Sequence, residues 1–564
     1  MLEAIIWYDK NVLARLRATV KTTKGGGCVD KYKRLVSNTL LFAISTFSSK
    51  ILSFFLTAYR TRVMGAADYG GMDAIVTIGN FFIPLVSLGI ANAIIRFGLE
   101  KGVNKRQLYT NGLLSIFAGF LLLCALAPVL NLVPFVRDTV QGHWMWLLLF
   151  VLVSCLRTLN CQFVRARNLV RLYALDGILC TLTNLLFNVL FLSGLNLGAQ
   201  GWILALICSD ACSALFLFFV SSIWRYMGGR INTKLWRKML VYSVPLISAS
   251  IFWTVTNTSD KLFITAMLGA EWNGLFAACY QLPTLLTVVA TLFTEAWQLS
   301  AFTDGTRAGR EEFFGKVFGA YQGLMFLAGA GIIWLCRPIM SIYVADEYYL
   351  GWIFIPVLTF ATIFSSFDNF LNSIYMVEKR SGLSLLTMGV GAVMNLILNA
   401  LLIPIWGVQG AAIATFASYF LVFLVRAYNT RTLIEVDFSP ELLALNFGLV
   451  VLEAALCIKE VPGSYVWNGI IVLIIAVVNL RGLVETCLLY TSEMKRRLEA
   501  LVGVVPGLSS AQVGLGFNGF DVGLVCTLDS REALDAYQCH PAHMAVKEYV
   551  HTVIAERVCC DFEN

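Results

Sequence analysis

Several charged side chains interrupt long apolar runs of this sequence, and these residues are the first candidates for chemistry. An ionisable group inside a membrane span costs about 2.5–3.5 kcal/mol on insertion scales, so each one is a candidate for function. The cationic candidates are Lys50, Arg96, Arg157 and Lys261. The acidic residues in such runs are Asp210, Asp260, Glu295 and Asp368. We expect the last three of these acids to be able to bind a coupling proton or cation.

Each cationic candidate also has a structural interpretation. Arg96 ends its span and can extend its guanidinium group to the membrane surface. Lys261 could pair with its neighbour Asp260 or reach the interface, and Arg157 could lie in a cavity or at an interface. Lys50 lies in the middle of its span, far from water in either direction, which favours a hydrated cavity.

Two asparagine pairs with i, i+4 spacing occur at corresponding places in the two halves of the chain. Their members are Asn184, Asn188, Asn395 and Asn399. Each pair lies on one helix face, and amides in membrane helices commonly hydrogen-bond a neighbouring helix. We therefore expect a structural role for both pairs. Glu295 and Asp368 could also have a structural role, because a protonated acid can hydrogen-bond a neighbouring helix.

The asparagine pairs belong to a longer internal repeat. Gly65-Ala-Ala-Asp-Tyr-Gly70 is echoed by Gly269-Ala-Glu-Trp-Asn-Gly274, and Gly198-Ala-Gln-Gly201 by Gly407-Val-Gln-Gly410. Because each copy lies between long apolar runs, the repeating unit is a bundle of about six membrane helices, used twice. Duplicated bundles around a central site are typical of transporters, in which one half moves against the other.

The composition excludes a soluble protein. Of all residues, 58% are hydrophobic and only 14% are charged, which is too little polar surface to face water. A spanning helix needs roughly 20 apolar residues, and we predict about fourteen such runs between residues 36 and 482. The 15 cysteines are scattered without a CxxC pair or ligand spacing, so we expect neither disulfides nor a metal site.

The basic residues between the predicted spans indicate the orientation. Most lie in the loops after even-numbered spans, to which we assign Arg165, Arg237 and Arg426, whereas the opposite loops hold few, including Arg60 and Arg62. Cytoplasmic loops carry the excess of positive charge. We therefore predict a cytoplasmic N-terminus. Nucleic-acid binding by these loops is a weak alternative, because each is short and held at a membrane surface.

The two ends of the chain differ from its membrane part. Residues 1–28 are polar and interrupted by glycine, and we expect a non-native or disordered extension with translation starting near Val29. Residues 483–492 contain Cys487-Leu-Leu-Tyr-Thr-Ser492, which matches the translation of a transposon-end adaptor and predicts an artificial join. A natural cytoplasmic fusion is the alternative. Between the ends we predict one bundle at 29–223, a basic cytoplasmic linker at 224–240, a second bundle at 241–428 and two more helices at 429–482.

Residues 493–564 resemble the stress-responsive dimeric α/β-barrel (Dabb) family. The likeness runs through Leu498-Glu-Ala-Leu-Val-Gly-Val-Val-Pro-Gly507, Asp529-Ser-Arg-Glu-Ala-Leu-Asp-Ala-Tyr537 and His540-Pro-Ala-His543. It implies a partial ferredoxin-like domain that lacks the family's first strand. His540 and His543 have no third ligand nearby in the sequence, so we assign them no metal.

A set of motifs in the membrane part carries a family likeness: Asn38-Thr-Leu-Leu-Phe-Ala43, Ser49-Lys50, the Gly65–Gly70 motif, Gly89-Ile-Ala-Asn-Ala-Ile-Ile-Arg96, Tyr242-Ser-Val-Pro245, Ser259-Asp-Lys261 and Asn395 to Thr415. In these motifs the membrane part resembles the polysaccharide transport (Wzx-type) branch of the multidrug/oligosaccharidyl-lipid/polysaccharide (MOP) exporter superfamily. The resemblance implies a location in the plasma membrane of a bacterium. The resemblance implies an all-α polytopic fold similar to MATE transporters. Two six-helix bundles would stand in an inverted V around a cavity, followed by two C-terminal helices and the short α+β tail.

The resemblance also implies the substrate, an oligosaccharide on a polyprenyl pyrophosphate carrier that is moved between leaflets by alternating access. A pyrophosphate in a low-dielectric cavity needs positive partners. Lys50 is the first choice, because the peptidoglycan-precursor flippases of the superfamily carry an arginine at this place. Arg157, Lys261 and Arg96 complete the expected set. No cofactor is expected beyond coupling H+ or Na+, and the expected partners are the bilayer and glycan polymerases or glycosyltransferases of the pathway.

Two other functions stay open from the sequence. A multidrug or cation antiporter of the same fold is the nearer one, although drug sites favour aromatic and acidic lining, whereas the intramembrane charge of the first half is chiefly cationic. A membrane-embedded glycan polymerase or glycosyltransferase is the second. Such enzymes generally need a large catalytic loop or a soluble domain with paired carboxylates, and the loops between the predicted spans are short.

Overall fold

The computed structural model describes residues 50–547, apart from 101, 141, 302–306, 379, 435–437, 518–519 and 545. The predicted extension at 1–28, the proposed start near Val29 and the motif at Asn38 lie outside the described residues. So does the first part of the first predicted span. The side chain of Glu295 and those of residues 481–494 are also outside the description.

The first half of the membrane part is a bundle of helices connected by short loops. Helix α1 covers residues 50–63 of the described chain. It is followed by α2 (Ala66–Val86), α3 (Ile90–Leu99), α4 (Lys105–Leu130), the short α5 (Pro134–Val140), α6 (Trp144–Ala166), α7 (Val170–Asn188) and α8 (Ala199–Val220). A π-helical turn, Val189–Gly194, continues α7, and a 3-10 turn, Ile223–Tyr226, follows α8.

The second predicted span is broken rather than continuous. Helix α2 contains Pro84, and Leu88 and Gly89 after it have positive φ angles of 49° and 60°. Proline removes a helical hydrogen bond, and the left-handed region is unfavourable for most residues, so the helix ends here and α3 starts in a new direction. Arg96 lies in the last turn of α3.

The second half repeats this arrangement with longer helices. They are α9 (Thr233–Leu268), α10 (Ala270–Ala301), α11 (Arg307–Tyr343), a 3-10 segment (Asp346–Phe354), α12 (Ile355–Val377), α13 (Ser381–Trp406) and α14 (Val408–Thr430). Two more helices, α15 (Pro440–Ile458) and α16 (Ser464–Glu499), follow them. Helix α9 begins inside the predicted linker 224–240, because the side chain of Asn232 accepts a hydrogen bond from the Leu235 amide and caps it.

Within the described residues, 12 helices are long and apolar enough to cross a membrane. The other two predicted spans correspond to α1, whose beginning is not described, and to the apolar segment Ser464–Leu480 at the start of α16. The expected all-α fold with two bundles and two additional helices is confirmed.

The two copies of the repeated glycine motif pack directly against each other. A Cβ atom on Gly70 would lie 1.8 Å from the carbonyl oxygen of Ala270, and one on Gly274 would lie 2.1 Å from that of Ala66. Only glycine lets the backbones of α2 and α10 approach so closely. The repeated motif is therefore one place where the two halves meet.

Two arginines assigned to loops from the sequence are buried inside the bundles. Arg60 lies in α1 with 8% of its surface exposed, and Arg426 lies in α14 with 1% exposed. Both have polar partners on other helices, which the loop assignment could not anticipate. Neither residue supports the predicted orientation, which then depends on the remaining basic loops.

The tail continues from the last membrane helix. Helix α16 runs through the predicted join at 483–492 without interruption. Strands β1 (Leu508–Phe517) and β2 (Phe520–Leu528) form an antiparallel pair, and α17 (Arg531–Cys539) follows. A small separate core holds them together, formed by Leu498, Leu501, Val505, Leu508, Val513 and Tyr537.

Candidate functional site

A cavity of about 590 Å³ lies between the two halves of the membrane part. Lys50 from α1 and Arg157 from α6 line it together, and Gln281 from α10 contributes from the second half. The other polar lining residues are Ser53, Thr158, Gln162, Tyr173, Asp176 and Thr284. The structure thus brings Lys50 and Arg157, two of the four cations predicted to bind the substrate, to one polar cavity.

Arg157 is held in place by two aspartates. Its guanidinium nitrogens lie 3.3 Å from an Asp210 oxygen and 4.0 Å from an Asp176 oxygen, and its Nε donates to the Ser213 hydroxyl at 3.0 Å. The Ser154 hydroxyl donates to Asp210 at 2.5 Å. These contacts fix the planar guanidinium group and offset its charge. About 30% of the side chain remains exposed, towards the cavity that Arg157 lines.

Lys50 differs from Arg157 in having no acidic partner within the part of the chain that the structure describes. Its side chain is exposed where it lines the cavity. An ammonium group without a counter-ion is free to bind an anion, and hydrogen bonds between charged groups are the strong kind. Lys50 is therefore the uncompensated positive charge of this cavity among the described residues.

Lys261 takes part in a contact between the halves and not in the cavity lining. Its ammonium group lies 3.0 Å from Asp73 of α2, and the Asn273 amide donates to the other Asp73 oxygen at 3.5 Å. The sequence suggested Asp260 or the interface as the destination of Lys261, and neither is the partner found. Asp73 lies near the start of a predicted span, where a charged residue resembles a loop residue, so the sequence did not indicate it as a partner.

Asp260 is buried among neutral hydrogen-bond donors. The amide of Asn399 donates to it at 2.6 Å and that of Asn395 at 3.3 Å, and the hydroxyl of Thr415 donates to its other oxygen. Only 1% of the residue is exposed. The second asparagine pair therefore holds a buried acid of α9.

The first asparagine pair holds a buried cation in the equivalent place. Arg60 of α1 donates from Nε to Asn188 at 2.8 Å and from a terminal nitrogen to Asn184 at 3.4 Å. Its guanidinium carbon lies 4.4 Å from the centre of the Trp202 ring. An amide both donates and accepts, so the same repeated pair solvates opposite charges in the two halves.

Asp368 forms a buried ion pair with Arg426. Its carboxylate lies 3.1 Å from the arginine Nε, and its backbone carbonyl accepts a second bond at 3.0 Å. Arg96, by contrast, is exposed, with its guanidinium carbon 5.5 Å from the centre of the Tyr242 ring. Neither Asp368 nor Arg96 lines the cavity between the halves. The side chain of Glu295 lies outside the described residues.

Several buried charged residues lie at positions that the sequence did not indicate. Asp73, Asp176 and Glu453 all lie in helices that cross the membrane part, and each is buried. Asp210 was recognised as an intramembrane charge but was given no role. From the sequence we expected a chiefly cationic first half, in contrast to the acidic lining of drug sites. This contrast is weaker than expected, because Asp176 also lines the cavity.

Two protein families match different parts of the chain. Residues 35–297 match the family described as polysaccharide biosynthesis protein, and residues 490–564 match the stress responsive A/B barrel domain. An uncharacterised membrane protein of Methanocaldococcus jannaschii is 21% identical over 436 residues, which cover 70% of this chain and 97% of that protein. A second uncharacterised membrane protein of this organism is 32% identical over 108 residues, covering 19% of this chain and 21% of that protein.

Solved structures of two transporters share the fold. The lipid II flippase MurJ, in an inward closed conformation, superimposes with a TM-score of 0.62 at 13% identity, covering 81% of this chain and 99% of that one. A multidrug resistance MATE family transporter of the MOP superfamily, in an inward-facing conformation, gives 0.55 at 13% identity, covering 69% and 98%. The membrane part of this chain therefore shares the fold of these two transporters, and the segment after its last membrane helix matches the stress responsive A/B barrel domain.

Proposed function

We propose that this protein moves a lipid-linked oligosaccharide, carried on polyprenyl pyrophosphate, across the cytoplasmic membrane. The observation that carries the proposal is the polar cavity between the halves, which presents Lys50 without an acidic partner among the described residues. The match of residues 35–297 to the family described as polysaccharide biosynthesis protein supports a glycan-containing substrate. Enzymes that build or polymerise the glycan would then be its functional partners.

The two cations of the cavity have different tasks in this proposal. Lys50 offers a compact ammonium group that binds a phosphate oxygen as a point charge. Arg157 is oriented by Asp176 and Asp210, so its remaining N–H groups can form directed bonds to the same anion. The polar side chains around them, such as Gln281 and Thr284, would hydrogen-bond the first sugar.

Alternating access requires that one end of the cavity opens while the other closes. One end, here called the sealed end, is closed by the Gly70–Gly274 contact, the Asp73–Lys261 ion pair and the bond from Tyr348 to the Met64 carbonyl. Lys50 lies roughly 20 Å from it along α1, at 1.5 Å per residue. With a cytoplasmic N-terminus, the sealed end faces outward, so the lipid headgroup enters from the cytoplasm.

Ion coupling belongs to the proposal as well. Asp260, Glu295 and Asp368 are the coupling candidates from the sequence. Asp368 forms an ion pair with Arg426, so its charge is already compensated and it is a weaker candidate for binding another cation. Asp260 has only neutral donors and could exchange a proton when α9 moves against α13.

The proposal can be tested by a transport assay with the purified full-length protein in proteoliposomes. A fluorescent polyprenyl-pyrophosphate oligosaccharide and a fluorescent organic cation are offered separately, and the protected fraction of each is followed over time. We expect the glycolipid to cross and the organic cation not to accumulate. Transport of the organic cation without movement of the glycolipid would show a drug antiporter instead.

The ion pair at the sealed end gives a further expected outcome. Asp73→Lys alone places two like charges together, and we expect it to lower transport about tenfold or more, since breaking a partly buried pair costs several kcal/mol. Asp73→Lys combined with Lys261→Asp restores opposite charges, and the free Asn273 carbonyl oxygen can accept from the new ammonium group. The double variant should regain most of the activity. A double variant as inactive as D73K would exclude a closing role for the pair.

A further inference from the structure

Glu453 is a buried acid without a hydrogen-bond partner in the described structure. It lies in α15, and none of its surface is exposed. Both carboxyl oxygens are without a hydrogen bond to any described residue. Asp260, which is also buried, accepts hydrogen bonds from three side chains, and the buried Asp368 forms an ion pair with Arg426. Glu453 is therefore unlike the other buried acids of the molecule.

Among the described residues, no positively charged side chain pairs with Glu453. Helix α15 packs against α11, α16 and, more weakly, α12. Cys457 lies one turn along the same helix, and its sulfur lies 3.8 Å from that of Cys336 on α11. Three of the charged or phenolic groups on these helices have partners elsewhere: Arg337 pairs with Glu460, Asp368 pairs with Arg426, and Tyr321 donates to the Ser366 carbonyl.

The physical consequence concerns the charge state of Glu453. An ionised carboxylate that is removed from water without a donor or counter-ion is prohibitively unfavourable, and such groups become neutral instead. The neutral acid costs far less in the same place. In a membrane segment, an acid kept under these conditions is by default a candidate for ion transfer.

We propose that Glu453 is a proton-binding site, which holds a proton in this conformation and releases it to water when α15 and α11 move apart. The step breaks the O–H bond of the carboxylic acid, and water takes the proton and leaves a carboxylate. The proposal rests on the proposed function in one respect, because the transport cycle is what separates α15 from α11. It identifies the coupling ion as H+ and adds to the candidate Asp260 a second proton site, outside the two bundles.

Infrared spectroscopy of the purified full-length protein tests whether Glu453 holds a proton. At neutral pH, the spectrum of the wild type should contain a carbonyl band of a protonated carboxylic acid that is lost in Glu453→Gln. The matched control is Glu460→Gln, which removes the exposed, paired glutamate just beyond the same helix and should leave the band unchanged. Equal thermal stability of both variants would exclude misfolding. An unchanged band in Glu453→Gln would overturn the proposal.

Transport under a pH gradient tests whether the proton is used. In proteoliposomes, a gradient should change the initial rate of glycolipid movement by the wild type and by Glu460→Gln, and this dependence should be lost in Glu453→Gln. A lost band with an unchanged gradient dependence would make Glu453 a permanently neutral packing group and overturn its coupling role. If the wild type moves no glycolipid at all, the proposed function fails, while the infrared result still decides the proton site.

Discussion

Replacing Lys50 by alanine is expected to lower the initial rate of glycolipid translocation by about ten- to hundredfold. The reason is the loss of a charge-assisted bond to the pyrophosphate, worth about 1.5–3 kcal/mol, where tenfold corresponds to about 1.4 kcal/mol. Lys50 has no acidic partner among the described residues, so its removal leaves no buried charge unpaired and the fold should persist. The measurement is the rate of translocation in proteoliposomes at matched protein content.

The control for this experiment keeps the charge. Lys50→Arg should retain more activity than Lys50→Ala, although the planar guanidinium group binds phosphate in a different geometry. Lys50→Glu should be the weakest of the three, because it adds repulsion to the lost attraction. Equal rates for the wild type, Lys50→Ala and Lys50→Glu would rule out a headgroup contact at this side chain.

Replacing Gly70 by alanine is expected to shift the protein away from the conformation in which the sealed end is closed. The new Cβ would lie 1.8 Å from a main-chain oxygen, which no side-chain rotation can relieve, so α2 and α10 must separate. Overpacking typically costs about 1–3 kcal/mol, which lowers the ratio of closed to open molecules by about five- to hundredfold. Double electron–electron resonance between labels at the exposed positions Val63 and Trp272 measures the separation of the two halves there.

The neighbouring glycine provides the matched control. A Cβ on Gly71 would meet only the Ala270 methyl group at 3.8 Å, an ordinary contact, so Gly71→Ala should leave the distance distribution unchanged. Gly274→Ala should reproduce the effect of Gly70→Ala, because its contact with Ala66 is the symmetry-related one. A closed distribution in both Gly70→Ala and Gly274→Ala would disprove the role of the glycines in closing this end.

The sequence predicted the architecture because apolar length and internal repetition are local or periodic signals. Runs of apolar residues indicate spans wherever they occur, and the repeated Gly65–Gly70 motif indicates the duplication without knowledge of any contact. The mid-span position of Lys50 also indicated a cavity, since a lysine there cannot reach water otherwise. The structure places Lys50 at such a cavity.

The partners of the buried charges could not be predicted, because they depend on how distant helices pack. Lys261 has an acidic neighbour in sequence, yet it pairs with Asp73 of the other half. Arg426 lies near a helix end and was taken for a loop residue, whereas its partner Asp368 is in another helix. A side chain can approach many helix faces, and only the packed structure selects among them.

The role of the asparagine pairs is only partly predictable from the sequence. Their repetition and i, i+4 spacing correctly indicated one helix face, as the bonds within each pair show. The sequence did not reveal that one pair surrounds Arg60 and the other Asp260. Amide groups solvate either charge, so the pairs themselves carry no information about the sign of the partner.

The most direct test of the central claim is the structure of this protein with bound polyprenyl-pyrophosphate oligosaccharide, determined by electron cryo-microscopy. We expect the pyrophosphate within hydrogen-bonding distance of the Lys50 ammonium group, with Arg157 still held by Asp210 and directed at the same anion. A headgroup bound elsewhere, with the cavity between the halves filled by water or lipid tails, would contradict the account.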